Sequence, residues 1–389
     1  MRLLYVADGR SPIALNWIRY FVEQGHEVHL VSTFPCRPEL PLASLHIISA
    51  ALSAAKARGS SGSAGERRGI WSGKLAGLRT RVRQLIGPLT LPQAARRLKE
   101  IAAAIRPDLV HAMRIPYEGM VAAEAHLDVP LLISVWGNDF TLHAPATPLM
   151  AAATRRALQQ ASALQADCRR DIRLAHAWGL DPSRPVLVCP GNGGIRSEIF
   201  HPGPAERDPD LFQVINPRGF RAYVRSDTFF QAAALVLKED PAVRFVCPAM
   251  ASEPQAQRWV QELGLSGRVE LLPAQRPEQM AALFRRSAVM VSPSTHDGTP
   301  NTLLEAMACG AFPVVGDLEP LREWLTPGIN GLLVDPASPQ ELASAVLTAR
   351  SNPELLRHAA EINQHRVAEC ASYPVVMENV SSFYRSLVK

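Results

Sequence analysis

The residues best suited to chemistry lie in the stretch 291–310, where two carboxylates, Asp297 and Glu305, stand eight positions apart. An apolar run ending at Val291 predicts a strand, a loop with glycine and proline follows, and a helix is expected to begin near Asn301. Loop amides and a helix N-terminus that meet at the carboxyl end of a parallel strand can bind anions and sugars. The carboxylates can face such a site, or they can merely cap and solvate the helix, and the residues alone leave both interpretations open.

Short apolar strands alternate with helical segments along most of the chain. Such alternation is typical of βαβ units, in which helices cover both faces of a parallel sheet. The series begins again after residue 205, and the proline-rich, charged stretch 200–210 is the best linker candidate. Strands are expected at Leu3–Ala7, Glu27–Ser32, Leu109–Ala112, Leu131–Val135 and Val186–Cys189, and then at Leu211–Ile215, Arg244–Cys247, Val269–Leu272, Val289–Val291, Phe312–Val315 and Gly331–Val334. We therefore predict an α/β protein of two Rossmann-like domains facing a cleft, with no sequence repeat between the halves.

Composition excludes several classes of protein. The chain has 389 residues, of which 47% are hydrophobic and 20% charged, as in ordinary globular proteins. It contains no apolar run of 18 residues, so no membrane span is predicted. The apolar run at the start of the chain is too short for a signal peptide and is interpreted as a strand. Six cysteines occur without a C-x-x-C pair, which indicates a cytoplasmic protein without a structural metal.

The net charge of +5 is concentrated in one segment. Residues 56–99 contain eleven basic residues and one acidic residue, a net charge of +10, so the remainder of the chain carries −5. Within this segment, apolar residues at spacings of three to four between Trp71 and Ile86 predict a basic amphipathic helix. Such a helix can lie on an anionic membrane surface, or it can pack its apolar stripe on the sheet of the first domain. The basicity is therefore local, and no nucleic-acid partner is predicted.

The carboxylate pair belongs to a longer pattern that resembles a known family. Asp297-x7-Glu305 is followed by Ala306-Met307-Ala308-Cys309-Gly310 and by a valine strand. This pattern resembles the Glu-x7-Glu and Ala-Met-Ala-x-Gly signature of retaining glycosyltransferases with the GT-B fold, in the large family-4 group. Segments 190–202 and 323–334 are also similar to that family. The resemblance implies a hexosyltransferase that moves a sugar from a nucleoside-diphosphate sugar to an acceptor hydroxyl, with UDP as the expected base.

The resemblance also implies roles for the residues on the donor side. Glu305 would hold the ribose hydroxyls, and Asp297, one methylene shorter than the usual Glu, would contact the donor sugar. Arg218 and Arg225 would face the leaving diphosphate, where fixed cations stabilise developing negative charge. Arg221 is a rival for the role of Arg225. The sugar and diphosphate would also contact the loop between the carboxylates, at Gly298, Thr299, Asn301 and Thr302.

The amino-terminal half would then supply the acceptor side. Its first loop contains Gly9, Arg10 and Ser11, where the family has a glycine-rich loop. Trp136 stands where the family usually has a histidine. Two further catalytic candidates lie at the carboxyl ends of strands of this half, namely Asp139 and His111.

No metal or cofactor is predicted beyond the nucleotide sugar as co-substrate. Asp208-Pro209-Asp210 spells the Asp-x-Asp of metal-dependent glycosyltransferases, but it lies in the expected linker and is interpreted as acidic linker. Arginines and a helix N-terminus can stabilise the leaving group without an ion. The expected domains are 1–202 for the acceptor, with 374–389 crossing back onto it, and 203–373 for the donor.

Alternatives to transfer remain open at this stage. A sugar-nucleotide epimerase or a phosphorylase can use the same two-domain frame, and so can a non-catalytic nucleotide-sugar binder, because fold alone does not fix function. The acceptor could be a lipid or lipid-linked glycan if residues 56–99 touch a membrane, which would make this cytoplasmic protein peripheral on the inner face of the membrane.

Overall fold

A computed structural model describes residues 1–50, 83–203, 211–221 and 223–388. The chain forms two compact units, one from Met1–Gly193 with Val376–Lys389 and the other from Gly194–Val375. Residues 194–202 thus belong to the second unit, although the expected boundary was at 202. The reason is local, because the Ile195 N–H donates to the Ala371 carbonyl at 2.7 Å and the Ile195 carbonyl accepts from Tyr373 at 2.8 Å.

The first unit contains a seven-stranded parallel sheet with strand order β3-β2-β1-β4-β5-β6-β7. Its strands are β1 (Arg2–Ala7), β2 (Glu27–Ser32), β3 (Ser44–Ile47), β4 (Leu109–Met113), β5 (Leu131–Val135), β6 (Ala163–Ala166) and β7 (Val186–Val188). The helices are α1 (Pro12–Glu23), α2 (Leu91–Ile105), α3 (Met120–Glu124), α4 (Pro148–Gln160) and α5 (Arg169–Trp178). The central strands are buried along nearly their whole length, as expected of a sheet covered on both faces.

The second unit contains a six-stranded parallel sheet with strand order β10-β9-β8-β11-β12-β13. Its strands are β8 (Gln213–Ile215), β9 (Arg244–Cys247), β10 (Val269–Leu271), β11 (Val289–Ser292), β12 (Phe312–Gly316) and β13 (Leu332–Val334). The helices are α6 (Ser226–Glu239), α7 (Pro254–Glu262), α8 (Pro277–Arg286), α9 (Asn301–Ala308), α10 (Glu319–Arg322), α11 (Pro339–Arg350) and α12 (Pro353–Cys370). The prediction of two parallel Rossmann-like sheets is confirmed.

Both sheets reverse their strand order beside the first strand of each unit. In the first sheet β2 and β4 lie on opposite sides of β1, and in the second β9 and β11 lie on opposite sides of β8. Connections leave such a point in opposite directions, so a crevice opens outside the carboxyl ends of the two central strands, where α/β proteins bind ligands. The loops after β1 and β4, and those after β8 and β11, are therefore the places to look for sites.

The last helix, α13 (Tyr373–Leu387), returns to the first unit as predicted. The ring of Tyr384 stacks on Phe21 with centroids 4.5 Å apart, and its hydroxyl accepts a hydrogen bond from Trp17 Nε1 at 2.9 Å. This buried aromatic cluster fixes the C-terminal helix to α1 and the central strands.

The predicted basic amphipathic helix falls mostly on residues 51–82, outside the described residues. Its end is described: residues 83–86 are helical, and Leu85 is 56% exposed. No helix in the described parts of the chain is long and apolar enough to cross a bilayer. Membrane contact through residues 56–99 therefore stays a prediction.

Candidate active site

The carboxyl ends of β8 and β11 bring together three residues that the sequence pattern assigned to the donor side, namely Arg218, Asp297 and Thr302. Arg218 lies two positions beyond Asn216 in the loop after β8, and Asp297 lies in the loop after β11. The Arg218 Nη2 atom donates to Asp297 Oδ2 at 2.6 Å, and the two side chains are 7% and 15% exposed. The Arg218 Nη1 atom also lies 3.2 Å from the Thr302 hydroxyl, in the first turn of α9. The buried Arg218 guanidinium thus links the loop after β8 to Asp297 and to the first turn of α9.

Burial controls the charge state of both carboxylates. Loss of solvation raises the pKa of Asp297, and the Arg218 cation opposes that rise most strongly. Desolvation raises the pKa of Glu305 to about 7, again against the pull of Arg218. Shifted carboxyl groups of this kind cluster at functional sites. The spacing of eight therefore places two perturbed carboxyl groups around one arginine.

The loop between the carboxylates is held by its neighbours. The Thr299 side chain is buried and accepts a hydrogen bond from Trp324 Nε1 at 3.0 Å. The Arg225 N–H donates to the Pro293 carbonyl at 3.0 Å, and Thr295 N–H donates to the Tyr223 carbonyl at 2.9 Å. Trp324 and Tyr223 were not found from the sequence, because neither lies in the signature stretch.

The two candidates for a second donor-side cation occupy different surroundings. Arg225 forms an ion pair with Asp227 at 2.7 Å at the start of α6, with both side chains more than a third exposed. Arg221 donates to the Tyr223 hydroxyl at 2.9 Å and lies close enough to Asp297 to lower the pKa of that carboxyl. The surroundings of Arg221 therefore suit the role that the sequence pattern suggested for Arg225.

His111 lies in the interior of the first unit, not at its surface. It is 1% exposed, its Nδ1 lies 2.5 Å from the Tyr384 hydroxyl, and its Nε2 lies 2.7 Å from the Ser134 hydroxyl. Burial lowers its pKa to about 3, so the ring is neutral. Because both ring nitrogens have partners inside the core, this geometry suits a structural role and not the catalytic one suggested by its strand-end position.

Tyr384→Phe is expected to lower the free energy of unfolding by roughly 1–3 kcal/mol, because it removes the buried partner of Trp17 Nε1 and His111 Nδ1. Urea denaturation followed by tryptophan fluorescence measures this change. The matched control is Tyr20→Phe, whose hydroxyl reaches the exposed Glu378 at 3.4 Å and should change stability by about 0.5 kcal/mol or less. Equal effects of the two substitutions would contradict the structural role of the buried network.

Asp139 lies at the predicted strand end but is enclosed. Its side chain is fully buried, accepts from Arg114 Nε at 2.8 Å, and accepts from the Trp136 N–H at 3.1 Å. Arg114 also donates to the Asn138 side chain at 2.9 Å. Its φ is 121°, a backbone conformation that residues other than glycine rarely adopt. Asp139 thus holds Trp136 and a strained arginine in place, a link that no sequence pattern signals.

The first loop of the chain has three separate local roles. The Gly9 N–H donates to the Ser32 hydroxyl at 3.0 Å, and Ser11 caps α1 by accepting from the Ala14 N–H. Arg10 pairs with Asp8 at 2.8 Å, and its guanidinium carbon lies 3.8 Å from the centre of the Phe34 ring. None of these contacts could be predicted from the position of this loop in the family pattern.

One group of side chains in the described residues could hold a metal ion. The ligand atoms of Asp167, Cys168 and Asp171 lie within 4.8 Å of one another, but Arg170 already pairs with Asp171 at 2.8 Å. The Asp208 and Asp210 pair lies outside the described residues.

Comparison with known proteins agrees with this geometry. Two family models match the chain, "Glycosyl transferase 4-like domain" over residues 9–191 and "Glycosyl transferases group 1" over residues 202–366. Curated relatives include the D-inositol 3-phosphate glycosyltransferases of Geodermatophilus obscurus, 26% identical over 54% of this chain and 51% of the relative, and of Rhodococcus opacus, 27% identical over 55% and 50%. The chain thus spans about half the length of the curated relatives it matches.

Solved structures show the same fold over the whole chain. The sucrose-phosphate synthase of Thermosynechococcus elongatus has a TM-score of 0.74 at 17% identity, covering 100% of this chain and 99% of that one. Anabaena HepE in complex with UDP has a TM-score of 0.76 at 14% identity, and in complex with UDP-glucose 0.72 at 16%, each covering 100% of both chains. The chain belongs to the group 1, family-4-like glycosyltransferases with the GT-B fold.

Proposed function

We propose that this protein transfers a hexose from a UDP-sugar to an acceptor hydroxyl with retention of anomeric configuration. The observation that carries the proposal is the buried contact of Arg218 with Asp297 and Thr302 at the strand-order reversal of the second sheet. Anabaena HepE, a structural neighbour with the same fold, binds UDP and UDP-glucose, which supports UDP as the nucleotide.

The second unit would bind the donor and stabilise the leaving group. When the bond between the anomeric carbon and the phosphate oxygen breaks, negative charge grows on the diphosphate. Arg218 is fixed by Asp297 and Thr302 before the reaction, so its cation needs no reorientation to meet that charge. The first backbone N–H groups of α9 add a second source of positive potential.

The carboxylates would divide the recognition of the donor. Asp297 receives a hydrogen bond from Arg218 and is proposed to contact the sugar, while Glu305 is proposed to hold the ribose hydroxyls. Gly298, Thr299 and Asn301 would contact the sugar and diphosphate through the loop that Trp324 and Tyr223 hold.

The proposed reaction needs no metal ion, since a fixed arginine and a helix N-terminus can neutralise the leaving diphosphate. UDP release should therefore be the same with and without a chelator. Contact of residues 56–99 with an anionic membrane, which would bring a lipid or lipid-linked acceptor within reach, is part of the proposal. Failure of anionic vesicles to bind the protein at low salt would contradict that part.

The function is tested by incubating the protein with UDP-, GDP- and ADP-hexoses and following each nucleotide product. A transferase without acceptor should slowly hydrolyse the correct donor, whereas an epimerase would convert it to a second nucleotide sugar. Glu305→Ala should abolish the signal for the correct donor. Binding of a nucleotide sugar without any turnover would favour the non-catalytic alternative.

Donor affinity should depend on pH through Glu305. The pKa of Glu305 is raised to about 7, and its ionised form is the better acceptor for ribose hydroxyls, so affinity should fall as pH drops below that value. We expect UDP-glucose to bind about tenfold more weakly at about pH 6 than well above pH 7, as measured by calorimetry. UDP-glucose suits this experiment because its diphosphate keeps its charge over the range.

Glu305→Gln is the matched control, because it preserves size and cannot ionise. Its affinity should be independent of pH over the same range and should resemble the low-pH value of the unaltered protein. A pH profile that survives Glu305→Gln would assign the dependence to another group.

A further inference from the structure

The carboxyl edge of the first sheet carries a second cluster of arginines, separate from the donor-side residues. Arg10 follows β1, Arg114 follows β4, and Arg83 lies in the helical residues 83–86. The loops after β1 and β4 flank the strand-order reversal of this sheet, which is where its ligand crevice is expected.

Aromatic rings hold Arg83 in this cluster. Its guanidinium carbon lies 4.2 Å from the centre of the Tyr117 ring and 5.3 Å from that of Phe34, whose ring also contacts Arg10 at 3.8 Å. The Tyr117 hydroxyl donates to the Arg83 carbonyl at 2.9 Å, so the main chain is fixed as well. An arginine stacked on aromatic faces has less freedom to lose when it binds an anion.

The loop that supplies Tyr117 is strained. Arg114 and Tyr117 have φ values of 121° and 73°, and neither is glycine. Backbone strain of this kind persists only where the surroundings enforce it, and it concentrates at functional sites. Here it accompanies the contact of Tyr117 with Arg83.

Arg83 differs from its two neighbours in its electrostatic partners. Arg10 pairs with Asp8, and Arg114 pairs with Asp139. Among the residues that the structure describes, the Arg83 guanidinium has no carboxylate partner, and its buried Nε makes no hydrogen bond. A guanidinium that is partly desolvated and lacks an anion is a ready site for one.

The nearby Glu118 does not fill this role. The Glu118 carboxylate accepts a hydrogen bond from the Thr33 hydroxyl at 2.6 Å, and the residue is only 5% exposed. Burial raises its pKa to about 7, even though Arg83 and Arg114 both act to lower it. Arg83 also lowers the pKa of Asp8, but Asp8 already pairs with Arg10, so among the described residues neither of these carboxylates forms an ion pair with Arg83.

We propose that Arg83 binds a phosphate group carried by the acceptor, beside the ion-paired Arg10 and Arg114. The inference rests on the proposed transferase function only in assigning the phosphate to the acceptor; anion binding itself can be measured without turnover. A phosphate has enough oxygens to accept two parallel N–H bonds from the Arg83 guanidinium.

Calorimetry with inorganic phosphate, glucose 6-phosphate and glucose tests the site directly. We expect glucose 6-phosphate to bind more tightly than glucose, and Arg83→Gln to weaken the binding of both phosphates by about tenfold or more. UDP affinity, measured on the same samples, should not change, because the donor-side residues belong to the second unit. Loss of UDP binding in every sample would count against the proposed function, whereas equal phosphate binding by Arg83→Gln and the unaltered protein would overturn the phosphate site.

Arg97→Gln is the matched control. Arg97 also belongs to the basic segment 56–99, but it lies on an exposed part of α2 and pairs with Glu100 at 2.8 Å. Both substitutions remove one positive charge, so nonspecific attraction of anions predicts an equal loss of phosphate affinity in the two variants. A specific site at Arg83 predicts a loss of phosphate affinity in Arg83→Gln alone. Arg83→Lys, which keeps the charge without the planar fork, should recover part of the affinity.

The phosphate can belong to a soluble acceptor or to a lipid headgroup. A vesicle-binding experiment distinguishes these two sources. Phosphatidylcholine vesicles with and without phosphatidylglycerol are mixed with the unaltered protein, Arg83→Gln and Arg97→Gln. A larger loss of binding to the anionic vesicles with Arg83→Gln than with Arg97→Gln supports a lipid-borne phosphate, and a selective loss of glucose 6-phosphate binding supports a soluble one. If neither arm separates the two variants, the site does not exist.

Discussion

Arg218→Ala is expected to lower the rate of UDP-hexose turnover by about 10²- to 10³-fold, the usual cost of removing one preorganised group from a developing charge. The guanidinium is 7% exposed and lies between Asp297 and Thr302, so no solvent cation can take its place in the same geometry. The effect should appear in kcat more than in KM, because the charge that Arg218 meets grows in the transition state. Initial rates of UDP release across donor concentrations measure both parameters.

Two comparisons make this result specific. Arg357→Ala removes an arginine from the exposed face of α12, where it pairs with Glu354 and Glu361, and it should leave turnover unchanged. Arg218→Lys keeps the charge but not the fork that reaches both Asp297 and Thr302, so it should restore only part of the rate. Unchanged turnover in Arg218→Ala would remove Arg218 from the proposed mechanism.

Asp139→Ala is expected to destabilise the first unit by roughly 2–3 kcal/mol. Breaking a fully buried ion pair costs about 3–5 kcal/mol, and the value here is lower because Arg114 is 30% exposed while Asp139 is completely buried. Arg114, which has a φ of 121°, would also lose the acceptor of its Nε–H. The shift of the urea midpoint measures this change.

The control for Asp139→Ala is Glu100→Ala, which breaks the exposed ion pair with Arg97 and should cost about 0.5 kcal/mol or less. A second measurement distinguishes a structural role of Asp139 from a catalytic one. Donor hydrolysis per folded molecule should be nearly unchanged in Asp139→Ala if the residue acts through Arg114 and Trp136. A stable variant that has lost turnover would instead restore the catalytic role that its strand-end position suggests.

The sequence was sufficient for the fold and for the strand-loop-helix unit that carries Asp297, because both depend on local patterns. Parallel strands buried on both faces are continuous apolar runs, and a strand-loop-helix unit such as β11–α9 places its loop at a sheet edge. Two strands were missed for physical reasons. β3 alternates between half-buried and exposed residues at the sheet edge, and β6 is the weakly strand-forming segment Ala163–Ala166.

Contacts between distant parts of the chain could not be predicted in the same way. Arg114, which pairs with Asp139, has a positive φ. A sequence does not predict a positive φ for arginine, because residues other than glycine rarely adopt one. His111 has the sequence position of a catalytic residue, and only the return of Tyr384 to the core shows that its nitrogens are occupied. A catalytic role predicted from a position at a strand end is therefore reliable only when no side chain from a distant part of the chain already occupies that residue's hydrogen-bonding atoms.

The return of α13 makes the first unit a discontinuous domain, into which residues 194–375 are inserted as one continuous block. The strand β1 and the helix α13 consequently belong to the same unit, where the hydroxyls of Tyr5 and Tyr384 lie 3.3 Å apart. A deletion of α13 would open the core of the first unit, although the second unit directly precedes α13 in the chain. During synthesis, that core stays incomplete until α13 emerges.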